Sequence, residues 1–259
     1  MKTALDPYKQ LYQILSAGKA AAVISYLSEK AYGPVSKKVI QRPLAPDWFA
    51  ERGLSKELAK PLQYALDSAE PVLLDQSDGG VVLLEPHYPE PRLFVFGGGH
   101  IAQPLVSFAS QAGFFTTVVD DRPSFANPDR FPLAEQVVCE SFARCFDLLD
   151  INESDFVVII TRGHQHDLDC LRQVLKRNAA YTGMIGSRRR IKLAWEQLQG
   201  EGYSSSQLER VHAPIGLSIG AIILVEIAIS IVSQLICVKR LGTVDSKKNN
   251  REENRSVFV

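Results

Sequence analysis

Short apolar runs alternate with stretches of helical periodicity through the second half of the chain. Runs with the length of buried strands occupy residues 93–96, 116–119, 136–139, 155–161 and 181–185. Between the first two runs, apolar residues recur with the spacing of one helix face, at Ile101, Leu105, Phe108 and Ala112. Strands that alternate with amphipathic helices predict an α/β fold, a Rossmann-like parallel sheet with helices on both faces.

The first 90 residues have a different pattern, which predicts a smaller α+β domain. We expect a helix over residues 6–17, a strand over 21–27, a second strand at Val39-Ile40, and a hairpin of residues 72–75 and 81–84 around Asp78-Gly79-Gly80. Ser55 is expected to cap a helix whose buried face carries Leu58, Leu62 and Leu66. Pro86, Pro89 and Pro91 then predict a stiff, extended linker.

The end of the chain is expected to complete the second domain. Helices are predicted over residues 187–199 and 204–211, and Glu226 is the only charged residue between positions 213 and 238. That segment is long enough to span a bilayer, but Glu226 would be costly in lipid, so we expect a buried loop and a buried final helix. The predicted organisation is a small domain over 1–90, a Rossmann-like domain over 91–240 and a disordered tail over 241–259.

A glycine-rich segment joins the first parallel strand to its helix. Gly97 permits a tight turn, Gly99 lets the backbone approach a phosphate, and Ala102 replaces the third glycine of the dinucleotide-binding pattern. The start of the helix also offers free N–H groups to an anion. Gly97, Gly99, His100 and Ala102 are therefore candidate cofactor-binding residues, and the alternative is a glycine turn that packs and binds nothing.

Two acids and an arginine follow the second strand, about 20 residues beyond the glycines. A carboxylate of Asp120 or Asp121 at this position would hold a ribose hydroxyl of NAD, whereas Arg122 would accommodate the 2′-phosphate of NADP. The pattern therefore predicts a nucleotide-type ligand and leaves the choice between NAD and NADP open.

The loop after the fourth strand gathers polar residues at the same expected edge of the sheet. They are Thr161, Arg162, Gly163, His164, His166 and Asp167. His164, His166 and Asp167 could ligate a metal, but no further ligand is evident, and we assign no metal site. A histidine acting in acid–base chemistry and Arg162 on a phosphate are alternatives, as is Asp167 capping the next helix with the histidines as polar loop residues.

A second helix N-terminus is expected where Gly186 and Ser187 precede Arg188 and Arg189. Ser187 is a good N-cap, but arginine in the first turn opposes the helix dipole, and a bound anion would offset that conflict. The alternative is a solvated basic face. Further along, Gly216 and Gly220 interrupt an apolar loop and suggest close approach of the backbone to a ligand or to another loop.

The composition and the cysteine spacing argue against several classes of function. The chain is 46% hydrophobic and 22% charged, and its formal net charge is zero, which argues against nucleic acid and anionic membranes as partners. The four cysteines form no CxxC pair and the first 11 residues do not resemble a signal peptide, so we expect reduced thiols and a cytoplasmic protein. No catalytic triad or acid–base carboxylate pair is evident, so no catalytic residue is assigned and binding is favoured over catalysis.

Taken together, these segments resemble the XdhC/CoxI family of xanthine dehydrogenase accessory proteins. The matching segments are Phe96–Leu105, Val118–Pro132, Thr161–Leu171, Tyr181–Arg190, His212–Ala221 and Glu226–Val232. The resemblance implies a Rossmann-like domain that binds molybdenum cofactor (molybdopterin) and delivers it to a molybdenum hydroxylase of the xanthine dehydrogenase type. We also expect a homodimer, with the final apolar segment as a candidate interface.

Two features depart from that family. Its N-terminal glycine stretch and cysteine motif have no counterpart in residues 1–90, and Ser218 stands where family members carry an acid. The segment after Ser218 is apolar, Ile222 to Val225, where the family is polar. The competing hypotheses are an NAD(P)-dependent oxidoreductase, with Asp120 or Asp121 on the ribose and a histidine as acid, and a regulatory nucleotide-sensing module without chemistry.

Overall fold

The computed structural model describes residues 6–27, 34–41, 55–76 and 80–242. The chain divides into two compact units, the first ending at Glu90 and the second beginning at Pro91. Each unit is built on its own β-sheet.

The first unit contains a four-stranded antiparallel sheet with the strand order β2-β1-β4-β3. Its strands are β1 (Ala21–Leu27), β2 (Pro34–Gln41), β3 (Val72–Asp75) and β4 (Val81–His87). Its helices are α1 (Pro7–Ser16) and α2 (Ala59–Ser68), and a 3₁₀ turn, Lys56–Leu58, precedes α2. The predicted first helix, first strand and hairpin are confirmed, although residues 77–79 of the predicted turn lie outside the described residues.

Two details of the first unit differ from expectation. Ser55 caps the 3₁₀ turn, accepting a hydrogen bond from the Glu57 amide at 3.2 Å, while α2 itself has no side-chain cap. Pro86 belongs to β4, opposite Ala22 of β1, and is not part of a linker. Since β3 pairs with β4 only as far as Leu84, no strand on that side needs an N–H from Pro86.

The second unit contains a six-stranded parallel sheet with the order β10-β9-β8-β5-β6-β7. Its strands are β5 (Arg92–Phe96), β6 (Phe115–Asp120), β7 (Gln136–Cys139), β8 (Phe156–Ile159), β9 (Tyr181–Met184) and β10 (Val211–His212). If β5 is counted as the first strand, the order is 3-2-1-4-5-6, which is that of the dinucleotide-binding fold. The chain fills one side of the sheet from β5 to β7 and then the other side from β8 to β10, so the switch point lies between β5 and β8.

Helices cover both faces of this sheet, as predicted. They are α3 (Ala102–Gln111), α4 (His164–Leu175), α5 (Arg188–Gly200), α6 (Ser205–Glu209) and α7 (Leu224–Leu241). Alternating side chains of β5 pack into two hydrophobic cores, one on each face of the sheet. Phe94 and Phe96 pack with residues of α4 and α5, whereas Leu93 and Val95 pack with residues of α3 and α7.

The C-terminal part corrects two predictions. The helix expected over 204–211 ends at Glu209, and Val211–His212 forms a sixth strand that is too short to leave a periodic pattern. The loop and helix expected to be buried are exposed at Ile222 (85%), Ile223 (58%), Leu224 (45%) and Val225 (44%). Only the opposite face of α7, with Ala228, Ile231 and Leu235, lies in the core.

None of the helices within the described ranges combines the length and the apolar character needed to cross a membrane. The tail predicted over 241–259 begins too early, because Leu241 is the last residue of α7, and residues 243–259 lie outside the described residues.

Candidate functional site

The glycine loop between β5 and α3 is shaped by contacts within the chain on one side and is open on the other. Gly97 has a φ of +112°, and a Cβ there would lie 2.4 Å from the Ile160 carbonyl oxygen. A Cβ on Gly98 would lie 2.7 Å from the Phe125 carbonyl oxygen, whereas a Cβ on Gly99 would meet nothing within 4 Å. Gly97 thus makes the turn, and Gly99 presents the open backbone.

The start of α3 offers unpaired backbone donors beside this loop. Its N-cap, Ile101, has no side-chain capping bond, while the Ala102 amide bonds to the Gly99 carbonyl at 3.1 Å. Among the described residues, no acceptor is bonded to the amides of Gly99, His100 and Ile101. Free N–H groups at the positive end of a helix dipole attract an anion.

Asp120, expected to hold a ribose, instead binds the glycine loop. Its Oδ2 accepts from the Gly98 amide at 2.8 Å and from Arg122 Nη2 at 2.9 Å, while Oδ1 accepts from the Arg122 amide at 3.0 Å and from Nε at 2.8 Å. Four hydrogen bonds fill the four lone-pair sites of a carboxylate that is 1% exposed. A ribose hydroxyl would have to displace one of them.

The pKa of Asp120 lies below its ordinary value as a result. Burial alone would raise the pKa, but the hydrogen bonds from the Arg122 side chain and from the amides of Gly98 and Arg122 outweigh it. Asp120 is therefore held as a carboxylate, and Arg122 is paired with it instead of being available to a 2′-phosphate.

Sequence reasoning missed two residues that cover the glycine loop. The Phe125 ring contacts two guanidinium groups, with its centroid 3.6 Å from Arg122 Cζ and 4.8 Å from Arg130 Cζ. Arg130 Nη2 also donates to the Gly98 carbonyl at 3.1 Å. Arg122, Phe125 and Arg130 belong to one short segment, whereas the bond from Arg130 to Gly98 joins positions 32 residues apart, to which no local pattern points.

Asp121 and Arg162, which were expected to contact a ligand, form a two-point ion pair with each other. Arg162 Nη1 and Nη2 lie 2.9 and 3.0 Å from the two carboxylate oxygens. The side chains are 23% and 43% exposed, so the pair is accessible to solvent. It links the segment after β6 to the segment after β8.

The histidines expected in a loop belong to the first turn of α4, because Gly163 is the N-cap and the helix begins at His164. The His166 ring lies 5.3 Å from the Phe142 ring. Within the described residues, no group of three His, Cys, Asp or Glu side chains is placed to hold a metal.

Asp167, whose carboxylate was considered as a helix cap or a ligand, instead connects three segments. It is 2% exposed and accepts hydrogen bonds from Thr161 Oγ1 at 2.5 Å and Arg190 Nη2 at 3.1 Å. The end of β8, the first turn of α4 and the first turn of α5 are thereby held together.

The start of α5 fits the sequence prediction. Ser187 caps the helix, its Oγ accepting from the Arg190 amide at 3.3 Å. Arg188 and Arg189 are exposed, and neither has an ion-pair partner in the part of the chain that the structure describes. The space beside Gly186 is too small for a side chain without a shift of its neighbour, since a Cβ there would lie 3.2 Å from Ile191 Cγ1. Two guanidinium groups are therefore available to an external anion.

The two glycines after β10 have separate explanations. Gly216 has a φ of +98°, and its Cβ would lie 2.4 Å from Ser230 Oγ of α7. Its amide donates to Gln234 Oε1 at 2.9 Å. Its close approach is therefore to α7, not to a ligand. Gly220 has a φ of +76° and open space around it.

Several of these segments meet at the carboxyl edge of the sheet. The glycine loop follows β5, the Thr161–Gly163 turn follows β8, and the start of α5 follows β9, and these three strands are consecutive neighbours. The starts of α3 and α5 therefore lie at the same edge of the sheet, and the two helices pack on its opposite faces.

A family model described as the XdhC Rossmann domain matches residues 93–235. The chain belongs to this family. The match covers every strand of the parallel sheet and the site segments, from the glycine loop to most of α7.

Two curated relatives resemble this XdhC chain. An uncharacterized protein, YqeB of Escherichia coli K12, is 32% identical over 212 residues, which are 80% of this chain and 37% of that protein. A probable xanthine dehydrogenase subunit of Bacillus subtilis 168 is 32% identical over 152 residues, 59% of this chain and 44% of that protein. The chain thus spans less than half the length of either relative.

A solved structure, described as a xanthine dehydrogenase from Bacillus halodurans, resembles the XdhC chain with a TM-score of 0.66 and 28% identity. The likeness covers 90% of this chain and 66% of that one. The structural similarity therefore extends beyond the Rossmann domain into the first 90 residues.

Proposed function

We propose that this XdhC chain is an accessory protein that binds molybdenum cofactor and delivers it to a molybdenum hydroxylase of the xanthine dehydrogenase type. The cofactor is the cargo, and the chain itself carries out no chemical step. The four free cysteines fit a reducing cytoplasm as the place of action.

The observation that carries the proposal is a pair of anion-binding helix starts at one edge of the sheet. The amides of Gly99, His100 and Ile101 are unpaired, and Arg188 and Arg189 have no ion-pair partner among the described residues. Molybdopterin carries a phosphate, and its nucleotide forms carry a diphosphate. A group with that charge satisfies donors that the fold itself leaves open.

The relatives support the choice of client. The Bacillus subtilis relative is named for a xanthine dehydrogenase, and the solved structure is described as one. Association with such an enzyme explains why a Rossmann domain without an evident catalytic constellation would hold a phosphorylated cofactor.

The glycine loop also fits the competing hypotheses, an NAD(P)-dependent oxidoreductase and a nucleotide-sensing module. The oxidoreductase is disfavoured by Asp120, because all of its acceptor positions are occupied by Gly98 and Arg122. Asp121, the other acid considered for the ribose, is paired with Arg162, so a dinucleotide would have to break one of these contacts to gain the ribose contact that this fold ordinarily uses.

We further propose that the chain acts as a homodimer through the exposed start of α7. The exposed aliphatic side chains there are Ile219, Ile222, Ile223, Leu224, Val225, Ile229 and Ile236. Such a surface is self-complementary, as a two-fold interface requires.

Pterin retention tests the carrier function. The purified chain is mixed anaerobically with molybdenum cofactor and desalted, and bound pterin is measured by fluorescence after oxidation. Stoichiometric retention that Arg188→Ala reduces would support the proposal. No retention, together with binding of NAD(H) in a parallel sample, would replace it with the oxidoreductase. A nucleotide that changes the oligomeric state without turnover would favour the sensing module.

A further inference from the structure

A groove continues the candidate site along the outside of α5, at the edge of the sheet formed by β9 and β10. One wall is the helix, and the other is the segment Ala213-Pro214 that follows β10. The groove has a volume of about 450 Å³. Small-molecule sites in proteins are usually of about 300–1,000 Å³. Arg188, at the start of α5, belongs both to this groove and to the anion site.

Along α5, the residues that line the groove change from basic to aromatic to acidic and polar. Arg188 and Lys192 place cations at the end nearest the anion site, Trp195 supplies an aromatic surface, and Glu196 and Gln199 place polar groups at the far end. Trp195 lies seven residues beyond Arg188 and Glu196 eight, which corresponds to about 10 and 12 Å along the helix axis. A ligand in this groove would thus meet positive charge, an aromatic ring and a carboxylate in that order.

We propose that this groove binds the ring of a phosphorylated 2-amino-4-oxo heterocycle, with the ring on Trp195 and the phosphate at Arg188. The inference rests on the proposed function, and it assigns the pterin of the cofactor to this groove. The 2-amino and N3–H groups of such a ring match a carboxylate at two points, the role assigned to Glu196. A guanine nucleotide shares this chemistry and is the alternative source of the ligand.

Trp195 and Glu196 are suited to these roles in different ways. The Trp195 side chain is partly buried and packs against the core beneath α5, so its ring is held in place without being fully covered. Glu196 is 57% exposed, and its contact with Lys192 is long, at 3.9 Å. An exposed pair of this kind contributes little energy, so Glu196 can exchange it for two N–H donors of a ligand.

Calorimetric titration of the whole chain tests the groove with three probes: the monophosphate of 6-hydroxymethylpterin, guanosine monophosphate and inorganic phosphate. Trp195→Ala is expected to weaken binding of the pterin monophosphate about tenfold, as loss of one base–aromatic stack does. Trp195→Phe should recover most of the affinity. Glu196→Gln should weaken both ring-bearing probes and leave inorganic phosphate unchanged, and Leu193→Ala, on the same helix outside the groove, is the matched control.

Equal affinity of the wild-type chain and Trp195→Ala for the pterin monophosphate would overturn the proposal. Thermal unfolding of Trp195→Ala and Trp195→Phe shows that a weakened affinity comes from a folded chain. Tighter binding of guanosine monophosphate than of the pterin would also overturn the pterin assignment and move the groove to a guanine nucleotide. The result is separable from the carrier function. Cofactor retention that survives Trp195→Ala removes the groove only, whereas pterin binding in the groove without cofactor retention removes the carrier function only.

Discussion

The Asp120 carboxylate accepts a hydrogen bond from the Gly98 amide at 2.8 Å, joining the end of β6 to the glycine loop after β5. The same carboxylate is paired with Arg122, whose guanidinium stacks on Phe125. Arg130 binds the Gly98 carbonyl, so both backbone polar groups of Gly98 are held by side chains of one segment. The acid at the end of the second Rossmann strand therefore shapes the loop on which a phosphate would rest.

Replacing Asp120 tests this role. Asp120→Asn keeps the shape but removes the charge from a nearly buried site that receives four hydrogen bonds. Since hydrogen bonds to a charged group contribute about 1.5–3 kcal/mol, we expect a loss of about 2 kcal/mol in the free energy of unfolding at pH 7. Urea denaturation measures it, and the exposed Asp129→Asn serves as the control.

The loss should depend on pH in a defined direction. The pKa of Asp120 is lowered in the folded chain, so its contribution is complete above the unfolded pKa of about 3.9 and disappears as the pH falls through the folded value. The stability difference between wild type and Asp120→Asn should therefore be constant near neutral pH and shrink below about pH 4. A difference that grows on acidification would contradict the assignment.

Substitutions of Gly97 and Gly99, two glycines of one loop, should affect folding and ligand binding separately. Gly97→Ala places a Cβ 2.4 Å from a backbone oxygen at a φ of +112°, so we expect severe destabilisation. Gly99→Ala meets nothing within 4 Å and should preserve the fold while weakening phosphate binding, because the methyl group lies on the open side. Thermal unfolding and pterin retention are measured on both variants. Loss of the fold in Gly99→Ala, or full retention by it, would contradict this division.

Local pattern was enough to predict the parallel strands and their helices, because buried strands and amphipathic helices each leave a periodic signature. The same is true of Gly97 and Ser187, whose backbone roles depend on near neighbours. Prediction failed where distant contacts decide. The bonds from Asp120 and Arg130 to Gly98 and the packing of Gly216 on Ser230 join residues that only the fold brings together. The pairing of Asp120 with Arg122 and the contacts around Phe125 lie within one segment, but they depend on side-chain geometry that leaves no periodic pattern. The two-residue strand β10 was missed because it is too short to show a period.

The three consecutive arginines at the start of α5 should respond differently to substitution. Arg189→Glu reverses an unpaired charge at the positive end of the helix dipole, so it should raise stability by about 0.3–1 kcal/mol and weaken binding of the pterin monophosphate about tenfold or more. Arg190→Ala should instead lower stability by about 1–3 kcal/mol, because it strips a charged partner from the buried Asp167. Calorimetric titration and urea denaturation separate the two effects. Equal loss of stability in both variants would show that Arg189 has an unrecognised structural role.

The cysteines should differ sharply in reactivity. Cys139 is exposed at the end of β7, whereas Cys145 and Cys170 are buried in the core. Burial raises the pKa of Cys145 to about 12 and raises that of Cys170 as well, and only the thiolate reacts. Iodoacetamide at about pH 8, near the ordinary pKa of a free thiol, followed by peptide mass analysis, should modify Cys139 in the native chain and reach the other two only in denaturant. Early modification of Cys145 would contradict the core packing.

The exposed start of α7 provides the last prediction. Ile222 is 85% exposed and Ile229 is 43% exposed, so glutamate at either position should leave the fold of one copy intact. If the surface joins two copies, burying each isoleucine contributes about 1.5–3 kcal/mol, and both copies lose it together. Ile222→Glu should therefore convert a dimer to a monomer by light scattering during gel filtration, while Leu148→Glu, at a position that is 66% exposed, should not. A wild-type chain that is monomeric at every concentration would assign this surface to the client enzyme instead, and Ile222→Glu would then weaken complex formation without changing cofactor retention.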